Sequence, residues 1–296
     1  YEGDLAQVAG ARMTVGRESR AQYREPHAGR IYTRLAQTPK PSSLDQEGLN
    51  LRTFPVMASE ILPGSTGAGD NAVQAYNFRV CLTRDPENRI SVEKPARYER
   101  DIYLALEGRW RFTNRLPNQK TSWNAPLLIG GNFDYPNGDW PARQAIAARH
   151  RDLALGLLWF MQHDERVPEA VRLEARVWGL PKDEFRDNHG FPWEMYVREA
   201  RRLVGRHVFT QHDAQAAPGL RRAPVYRDSI AITEWPMDSH SCHPDRVSGS
   251  DHEGKIILTE ETRPGQISYR CLLPEHLDNL LVTVALSSSH VGWGAV

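Results

Sequence analysis

The sequence contains few cysteines: only Cys81, Cys242 and Cys271 in 296 residues. They are widely separated, and so sparse and odd a set does not make the disulfide framework of a small secreted domain. No two of them have the CxxC spacing of a paired zinc site. The cysteine pattern therefore excludes a disulfide-based scaffold and a zinc site built on cysteine pairs.

Long apolar runs are also missing. The longest run, from Leu280 to Leu286, is far shorter than the roughly 20 residues that a membrane-spanning helix needs. No signal peptide is visible. These absences predict a soluble protein without a membrane span, and they leave its compartment, cytoplasm or periplasm, undecided.

The chain has no excess of either charge, because Lys plus Arg and Asp plus Glu each number 37. This balance gives no electrostatic reason to expect nucleic acid or an anionic membrane as the main partner. The predicted partner is a small-molecule substrate. Hydrophobic residues make up 40% and charged residues 25%, which is typical of a globular chain with one large domain or two ordinary ones. The oligomeric state stays open.

The strongest helical pattern covers residues 142–164, where apolar residues recur every three or four positions. Asp139 is the predicted N-cap, and Pro141 suits the first turn. A shorter helix is predicted over 168–178, because it begins with Pro and ends at a Gly. The predicted core stripe of the long helix includes Leu153, Leu157 and Phe160.

Strand patterns occupy both ends of the chain, and residues 24–72, rich in Pro, Gly, Ser and Thr, are predicted to be irregular. A further short helix is predicted over 101–108. The predicted strands lie near 12–16, 73–83, 196–210, 229–235, 255–258, 266–273 and 280–286.

Several stretches together resemble FAD-dependent oxidoreductases that have a glutathione-reductase-like core of two dinucleotide-binding domains. The resemblance runs over nearly the whole chain and keeps its order. The stretches include YEGDL at 1–5, AGARMTVGRE at 9–18, NFDYPNG at 132–138, VWGLPKDEF at 177–185, YVREARRLVGRHVFTQHD at 196–213, DSH at 238–240, SYRCLLP at 268–274 and NLLVTVALSSSHVGWGAV at 279–296.

The resemblance implies an α/β fold, mixed α+β in this chain, that is part of an FAD/NAD(P)-binding, Rossmann-like core with a helical, loop-rich substrate or cap insertion. Such proteins hold the FAD pyrophosphate on a GxGxxG turn between a strand and a helix. Neither Gly16-Arg17 nor Gly67-Ala68-Gly69 fits that motif. The sequence is therefore predicted to be the central part of a longer FAD enzyme, not expected to be active by itself.

On this interpretation the chain has three parts. Residues 1–25 are predicted to be a remnant of the FAD-binding domain. Residues 26–195 are predicted to form the substrate or cap region that carries the two helices. Residues 196–296 are predicted to be a β-rich substrate domain that returns to the FAD-binding domain.

The resemblance implies hydride transfer from an unknown organic substrate to FAD, with catalytic residues Asp238, His240 and His290. A histidine near neutral pKa could move a proton while the hydride goes to the flavin. His290 follows the predicted strand 280–286, and ligands bind at the carboxyl ends of strands in open α/β sheets. The alternative for His290 is a capped turn with a satisfied histidine.

Cofactor binding is predicted for six residues. An arginine of the YVREARRLVG stretch could hold an anionic group of flavin or substrate in a forked contact. The alternative is that these arginines form ion pairs with Glu194 and Glu199 on a solvated face. The six residues are Gly3, Asp4, Arg198, Arg201, Ser289 and His290.

Substrate binding is predicted for Lys120 and Asn124, which lie on a loop, and for Tyr269 and Arg270. The loop residues are equally compatible with an ordinary turn. A separate hypothesis is a stand-alone binding or hydrolytic module with zinc held by the His, Cys and Asp residues of loop 238–252. No metal is predicted on the flavoenzyme interpretation.

Overall fold

The computed structural model describes residues 2–41, 55–106, 112, 115–124 and 126–296. They form a mixed α/β structure of helices and short strands, as predicted. Contacts divide the chain into two compact units, the first made of Tyr1–Ala75 and Arg198–Val296 and the second of Tyr76–Val197. The roles expected for segments 1–25, 26–195 and 196–296 stay predictions.

The elements follow one another along the chain with short connections in most places. The α-helices are α1 Asp4–Val8, α2 Arg20–Tyr23, α3 Arg100–Leu104, α4 Trp140–His163, α5 Glu169–Arg176 and α6 His290–Trp293. The strands are β1 Met13–Thr14, β2 Thr33–Pro41, β3 Pro55–Ile61, β4 Val80–Thr83, β5 Arg89–Ile90, β6 Arg115–Leu116, β7 Lys120–Trp123, β8 Leu180–Pro181, β9 Arg202–Leu203, β10 Ser229–Thr233, β11 Asp238–Ser239, β12 Ile256–Ile257 and β13 Gly265–Ser268. Three 3₁₀-helices cover Arg186–Asn188, Gln211–Ala214 and Tyr269–Leu272.

In the part of the first unit that the structure describes, four small antiparallel sheets pair β1 with β9, β2 with β3, β10 with β13 and β11 with β12. The β2–β3 hairpin lies within 24–72, so the prediction that this whole segment is irregular is wrong. The Pro, Gly, Ser and Thr content of this segment favours loops, but the segment also contains two strands. They pair in an antiparallel register that places Thr33 opposite Ile61 and Leu35 opposite Ser59. The intervening residues 42–54 lie outside the described part of the chain.

Among the described residues, two apolar clusters contribute to the core of the first unit, and the segment that carries α6 belongs to one of them. Phe209, Met237 and Val291 are fully buried there, together with Cys271, which packs as a small apolar residue. The second cluster joins α1 to β9 through Ala6 and Leu203. Helix α6 is thus held in place by the packing of Val291 in the first of these apolar clusters.

The second unit is built around the long helix α4 and two sheets, of order β4-β7-β6 and β5-β8. The prediction of this helix is confirmed within two residues at its start and one at its end. Asp139 caps it, since its Oδ1 accepts a hydrogen bond from Ala142 N at 2.9 Å. Leu153, Leu157 and Phe160 are buried as expected. The shorter predicted helix corresponds to α5.

Several predicted elements differ from the structure. Of residues 73–83 only β4 is a strand, and residues 269–272 of the predicted strand 266–273 form a 3₁₀-helix. Of residues 196–210 only β9 is a strand. Residues 280–286 do not form a strand. They make isolated backbone hydrogen bonds in place of a ladder, such as that from Val282 N to Leu272 O at 2.9 Å, and the side chain of Leu281 is half exposed. The helix predicted over 101–108 is found as α3, and residues 107–108 lie outside the described part.

Among the helices that the structure describes, none has both the length and the apolar composition needed to cross a lipid bilayer.

Candidate functional site

Helix α6 places His290 at its first position, and the residue before it caps the helix. Ser289 Oγ accepts a hydrogen bond from Gly292 N at 2.9 Å and donates one to Glu25 Oε1 at 2.6 Å. The capping hydroxyl thus joins α6 to a carboxylate from the loop after α2. This is the capped arrangement that the sequence analysis gave as the alternative for His290.

Two glycines let α6 approach other backbone segments closely. A Cβ on Gly292 would lie 2.2 Å from Phe209 O, and a Cβ on Gly294 would lie 2.8 Å from both N and O of Asp238. Only glycine fits such spacing. The helix of His290 is therefore in backbone contact with β11, which carries Asp238.

A buried charged group surrounds His290, and we call His290, Glu199, Arg202 and Glu18 the His290 cluster. His290 Nδ1 lies 2.9 Å from Glu199 Oε1, and His290 N donates to Glu18 Oε2 at 2.8 Å. The imidazole also hydrogen-bonds to the side chain of Cys242. Both carboxylates of the cluster therefore contact the first residue of α6.

Arg202 connects these carboxylates from a fully buried position. It donates to Glu18 Oε1 at 2.9 Å and forms an ion pair with Glu199. Its other donors reach Ser288 O at 3.0 Å and Gly16 O at 2.6 Å. The sequence analysis gave, as an alternative role for these arginines, an ion pair with Glu199 on a solvated face. Arg202 does form this ion pair, but both side chains are buried.

Electrostatics hold His290 in its charged form. Burial by itself would lower the pKa of His290, but Glu199 and the contact with Cys242 outweigh it and raise this pKa to about 10. Burial likewise opposes the charge of Glu199, yet His290 and Arg202 hold the pKa of Glu199 below its ordinary value. With His290 protonated, two cations face two carboxylates, so the cluster is balanced.

Asp238 occupies a different environment on β11. Burial raises the pKa of its carboxyl group, and the charges of Arg198 and Lys255 offset only part of that effect. Next to it, the hydroxyl of Ser239 is buried and has no hydrogen-bond partner in the part of the chain that the structure describes. His240 follows, with its backbone N donating to Gln74 Oε1 at 2.8 Å.

The remaining residues predicted to bind the cofactor lie elsewhere in the first unit. Arg201 donates to Asp4 Oδ1 at 2.6 Å, and Gly3 adopts a left-handed φ of 78° as the residue before α1. A Cβ on Gly3 would lie 3.4 Å from Arg201 Cβ. The carbonyl of Arg198 accepts a hydrogen bond from the indole of Trp293 on α6. Gly3, Asp4 and Arg201 thus form one group, and Arg198 lies beside α6.

The residues predicted to bind substrate are divided between the two units. In the second unit, Lys120 pairs with Asp183 at 2.8 Å and Glu184 at 2.5 Å, so its charge is already balanced. The carbonyl of Asn124 accepts a hydrogen bond from Asn77 Nδ2 at 2.8 Å.

In the first unit, Arg270 pairs with Asp228 at 2.9 Å and Tyr269 is exposed. The structure does not bring the four predicted substrate residues into one group within either unit. Their binding roles stay predictions.

Four members of the site, Glu18, Glu25, Glu199 and Arg202, are not among the predicted functional residues. Glu18 and Glu25 have no local signal, because nothing in their neighbouring sequence marks them as partners of residues near 290. Glu199 was weighed only as a surface ion-pair partner. The sequence does contain one indication for Glu199: it lies three residues before Arg202, a spacing that allows the two side chains to form an ion pair within one turn of the chain.

Replacing Gly292 by alanine should destabilise the protein by about 1 to 3 kcal/mol, because the added methyl group overlaps the carbonyl of Phe209. Chemical unfolding followed by circular dichroism measures the change. Gly219→Asn is the control, since nothing lies within 4 Å of that position and asparagine tolerates its left-handed φ of 75°. Equal stability of Gly292→Ala and the wild type would contradict close packing of α6.

Comparison with protein families gives one finding, a match of residues 1–296 to the family model described as FAD dependent oxidoreductase. No curated protein and no solved structure matches the chain. The family match agrees with the resemblance carried by the ordered motifs. Because it extends over the whole of the chain, the chain belongs to the FAD dependent oxidoreductase family.

Proposed function

We propose that the protein oxidises a small organic substrate through FAD, with Asp238 as the base and His290 as a fixed positive charge. The observation that carries this proposal is the backbone contact between α6 and β11 at Gly294 and Asp238. It supports a shared site for a carboxyl group and an imidazolium from distant parts of the sequence. The family membership supplies the redox class of the reaction.

Several buried polar atoms of the first unit fit FAD. Three buried guanidinium donors lack an acceptor among the described residues: Nε and Nη2 of Arg20 and Nε of Arg201. The buried hydroxyls of Ser239 and Ser288 also lack a hydrogen-bond partner there. Such unpaired donors are costly unless a ligand satisfies them. The guanidinium of Arg20 would suit a phosphate group. The two serine hydroxyls, one residue from Asp238 and two residues from His290 in sequence, would suit a polar ring edge.

The glycines near Arg20 have a packing role. A Cβ on Gly16 would lie 2.2 Å from Asp70 O, and a Cβ on Gly67 would lie 3.1 Å from the guanidinium of Arg20. These glycines therefore let loops approach each other and Arg20. That role differs from a GxGxxG phosphate turn, which agrees with the motif's absence from the sequence.

FAD, when bound, accepts a hydride from a substrate C–H bond. Asp238 Oδ would take the proton that an attached hydroxyl or amine group must lose at the same time. The raised pKa of Asp238 suits this task, because a base is most effective when its pKa approaches the working pH. His290 would not move a proton, since its pKa of about 10 keeps it charged, and its charge would instead hold Glu199 beside the start of α6. A role for His240 stays a prediction.

Asp238→Asn should lower the rate of FAD reduction about 100-fold, because it removes the base. The measurement is anaerobic loss of flavin absorbance in FAD-loaded protein mixed in turn with alcohols, amines and hydroxy acids. The FAD content of the variant should stay equal to that of the wild type. Asp278→Asn is the control, since that carboxylate lies on the surface opposite Arg206. Wild-type rates in Asp238→Asn would remove Asp238 from the chemistry.

The zinc hydrolase alternative gains no support from the geometry. Among the residues that the structure describes, no group of three or more His, Cys, Asp or Glu side chains could hold a metal ion. Within loop 238–252, Cys242 is fully buried, and His252 lies against Arg246.

A further inference from the structure

We propose that the second unit contains a binding site for a small oxyanion, a carboxylate or a phosphate, separate from the residues of the proposed reaction. The site is a cleft of about 310 Å³ at the C-terminal ends of α4 and α5. Ligand sites in proteins commonly have volumes of about 300 to 1,000 Å³, so this cleft suits a small molecule. Its walls include Arg89, Ser91, Val92, His163, Arg176 and Trp178.

Two arginines of the cleft carry charges that no carboxylate balances in the described part of the chain. Arg89 Nη1 donates to Val177 O at 2.6 Å, and Arg176 Nε donates to Gln162 O at 2.9 Å. Each guanidinium is thus oriented by a carbonyl at a helix end. Nη2 of Arg89 and both Nη groups of Arg176 make no hydrogen bond to described residues and can receive an anion.

Gly179 makes room for Arg89. A Cβ at this glycine would lie 2.6 Å from Arg89 Cγ and 2.4 Å from Ile90 O. The stem of Arg89 therefore passes directly over a residue without a side chain. A side chain at position 179 would therefore displace Arg89.

The indole of Trp178 supplies an independent indication of a ligand. The residue is only 7% exposed, and its Nε1 is buried without a hydrogen-bond partner among the described residues. The ring packs beside Phe112, with centroids 5.7 Å apart. An indole N–H can only donate, and leaving it unpaired costs free energy. An oxygen acceptor bound in the cleft would remove that cost.

The lining favours an anion over a cation, because it contains no Asp or Glu. Free carbonyl groups at a helix C-terminus repel anions, but several carbonyl groups at the end of α5 already accept hydrogen bonds from side chains. Gln162 Nε2 donates to Ala175 O at 3.0 Å and Trp178 O at 2.9 Å. The guanidinium groups and the indole N–H fit a carboxylate or phosphate group, while Val92 and the Trp178 ring offer apolar surface to a carbon skeleton.

Calorimetric titration of the full chain with inorganic phosphate and with benzoate tests the proposal, with chloride at matched ionic strength as reference. At least one of the two anions should bind saturably. Arg176→Gln should weaken that binding about tenfold, because it removes a charge-assisted pair. Trp178→Phe should weaken it about fivefold, because it removes one donor and keeps the ring.

Arg172→Gln is the matched control, since it removes a cation from the same helix whose donors instead reach Asp164 O and Val167 O. Its affinity should stay equal to that of the wild type. Binding of phosphate alone or of benzoate alone identifies which oxyanion the site prefers. The proposal is overturned if neither anion binds beyond the chloride reference, if Arg172→Gln loses as much affinity as Arg176→Gln, or if the folded Trp178→Phe and Arg176→Gln proteins bind like the wild type.

Discussion

Arg202→Met should lower the free energy of unfolding by about 3 to 5 kcal/mol, the usual cost of leaving a buried charge without its partner. Arg202 is fully buried and is the cation shared by Glu18 and Glu199. Methionine keeps much of the side-chain length but leaves both carboxylates with only His290 as counter-charge. Urea unfolding at neutral pH, followed by tryptophan fluorescence, measures the loss.

The matched control is Arg206→Met, four residues along the chain. Arg206 also pairs with a carboxylate, Asp278, at 2.8 Å, but both side chains are exposed. Surface pairs contribute little, so this variant should unfold close to the wild type. Arg202→Lys should fall between the two, because an ammonium group keeps the charge but cannot reach four acceptors at once. Equal effects of Arg202→Met and Arg206→Met would show that the buried cluster does not stabilise the fold.

The stability of the protein should fall by a few kcal/mol as the pH rises from about 6.5 to about 10, because in that window the unfolded chain releases the His290 proton while the folded protein still holds it. The pKa of His290 is raised to about 10 in the folded protein, against about 6.5 in an unfolded chain. A raised pKa stabilises the fold fully below the unfolded value, and this stabilisation is lost as the pH passes the folded value. For Glu199 the pKa is lowered, so its contribution is lost at the acidic side instead.

His290→Gln should remove most of this alkaline loss, since glutamine does not titrate but can still donate to Glu199. Unfolding free energies of wild type and variant, measured at intervals from pH 6 to pH 10, should therefore converge as the pH rises. His276→Gln is the control, because His276 is exposed and lies beside a surface carboxylate, Glu275, at 3.1 Å. A constant difference between His290→Gln and wild type across this range would mean that His290 is neutral in the fold.

The sequence predicted best those features that depend on near neighbours. Helix α4 was found because its apolar spacing, its Asp139 cap and its proline act within a few residues of one another. The residues 280–286 were predicted wrongly as a strand for the opposite reason. Their apolar composition suits a strand, but whether a ladder forms depends on a partner strand elsewhere, and the structure provides only single hydrogen bonds.

Part of the candidate site could also be anticipated. Asp238, Ser289 and His290 were selected from two separate motifs, and the structure brings the two segments into backbone contact at Gly294. Glu18 and Glu25 could not be selected, because a glutamate in a loop is ordinarily solvated and its burial depends on the whole fold.

By itself the amino-acid sequence determined the family, through motifs kept in order along the chain, and it excluded a disulfide scaffold. Only the tertiary structure decided which charges meet in the interior. Arg202 and Glu18 are 184 residues apart, and His290 and Glu18 are 272 apart. Residues so distant have no preferred pairing in the chain itself. They pair because apolar packing buries them together, and a buried charge without a partner would strongly lower the free energy of unfolding.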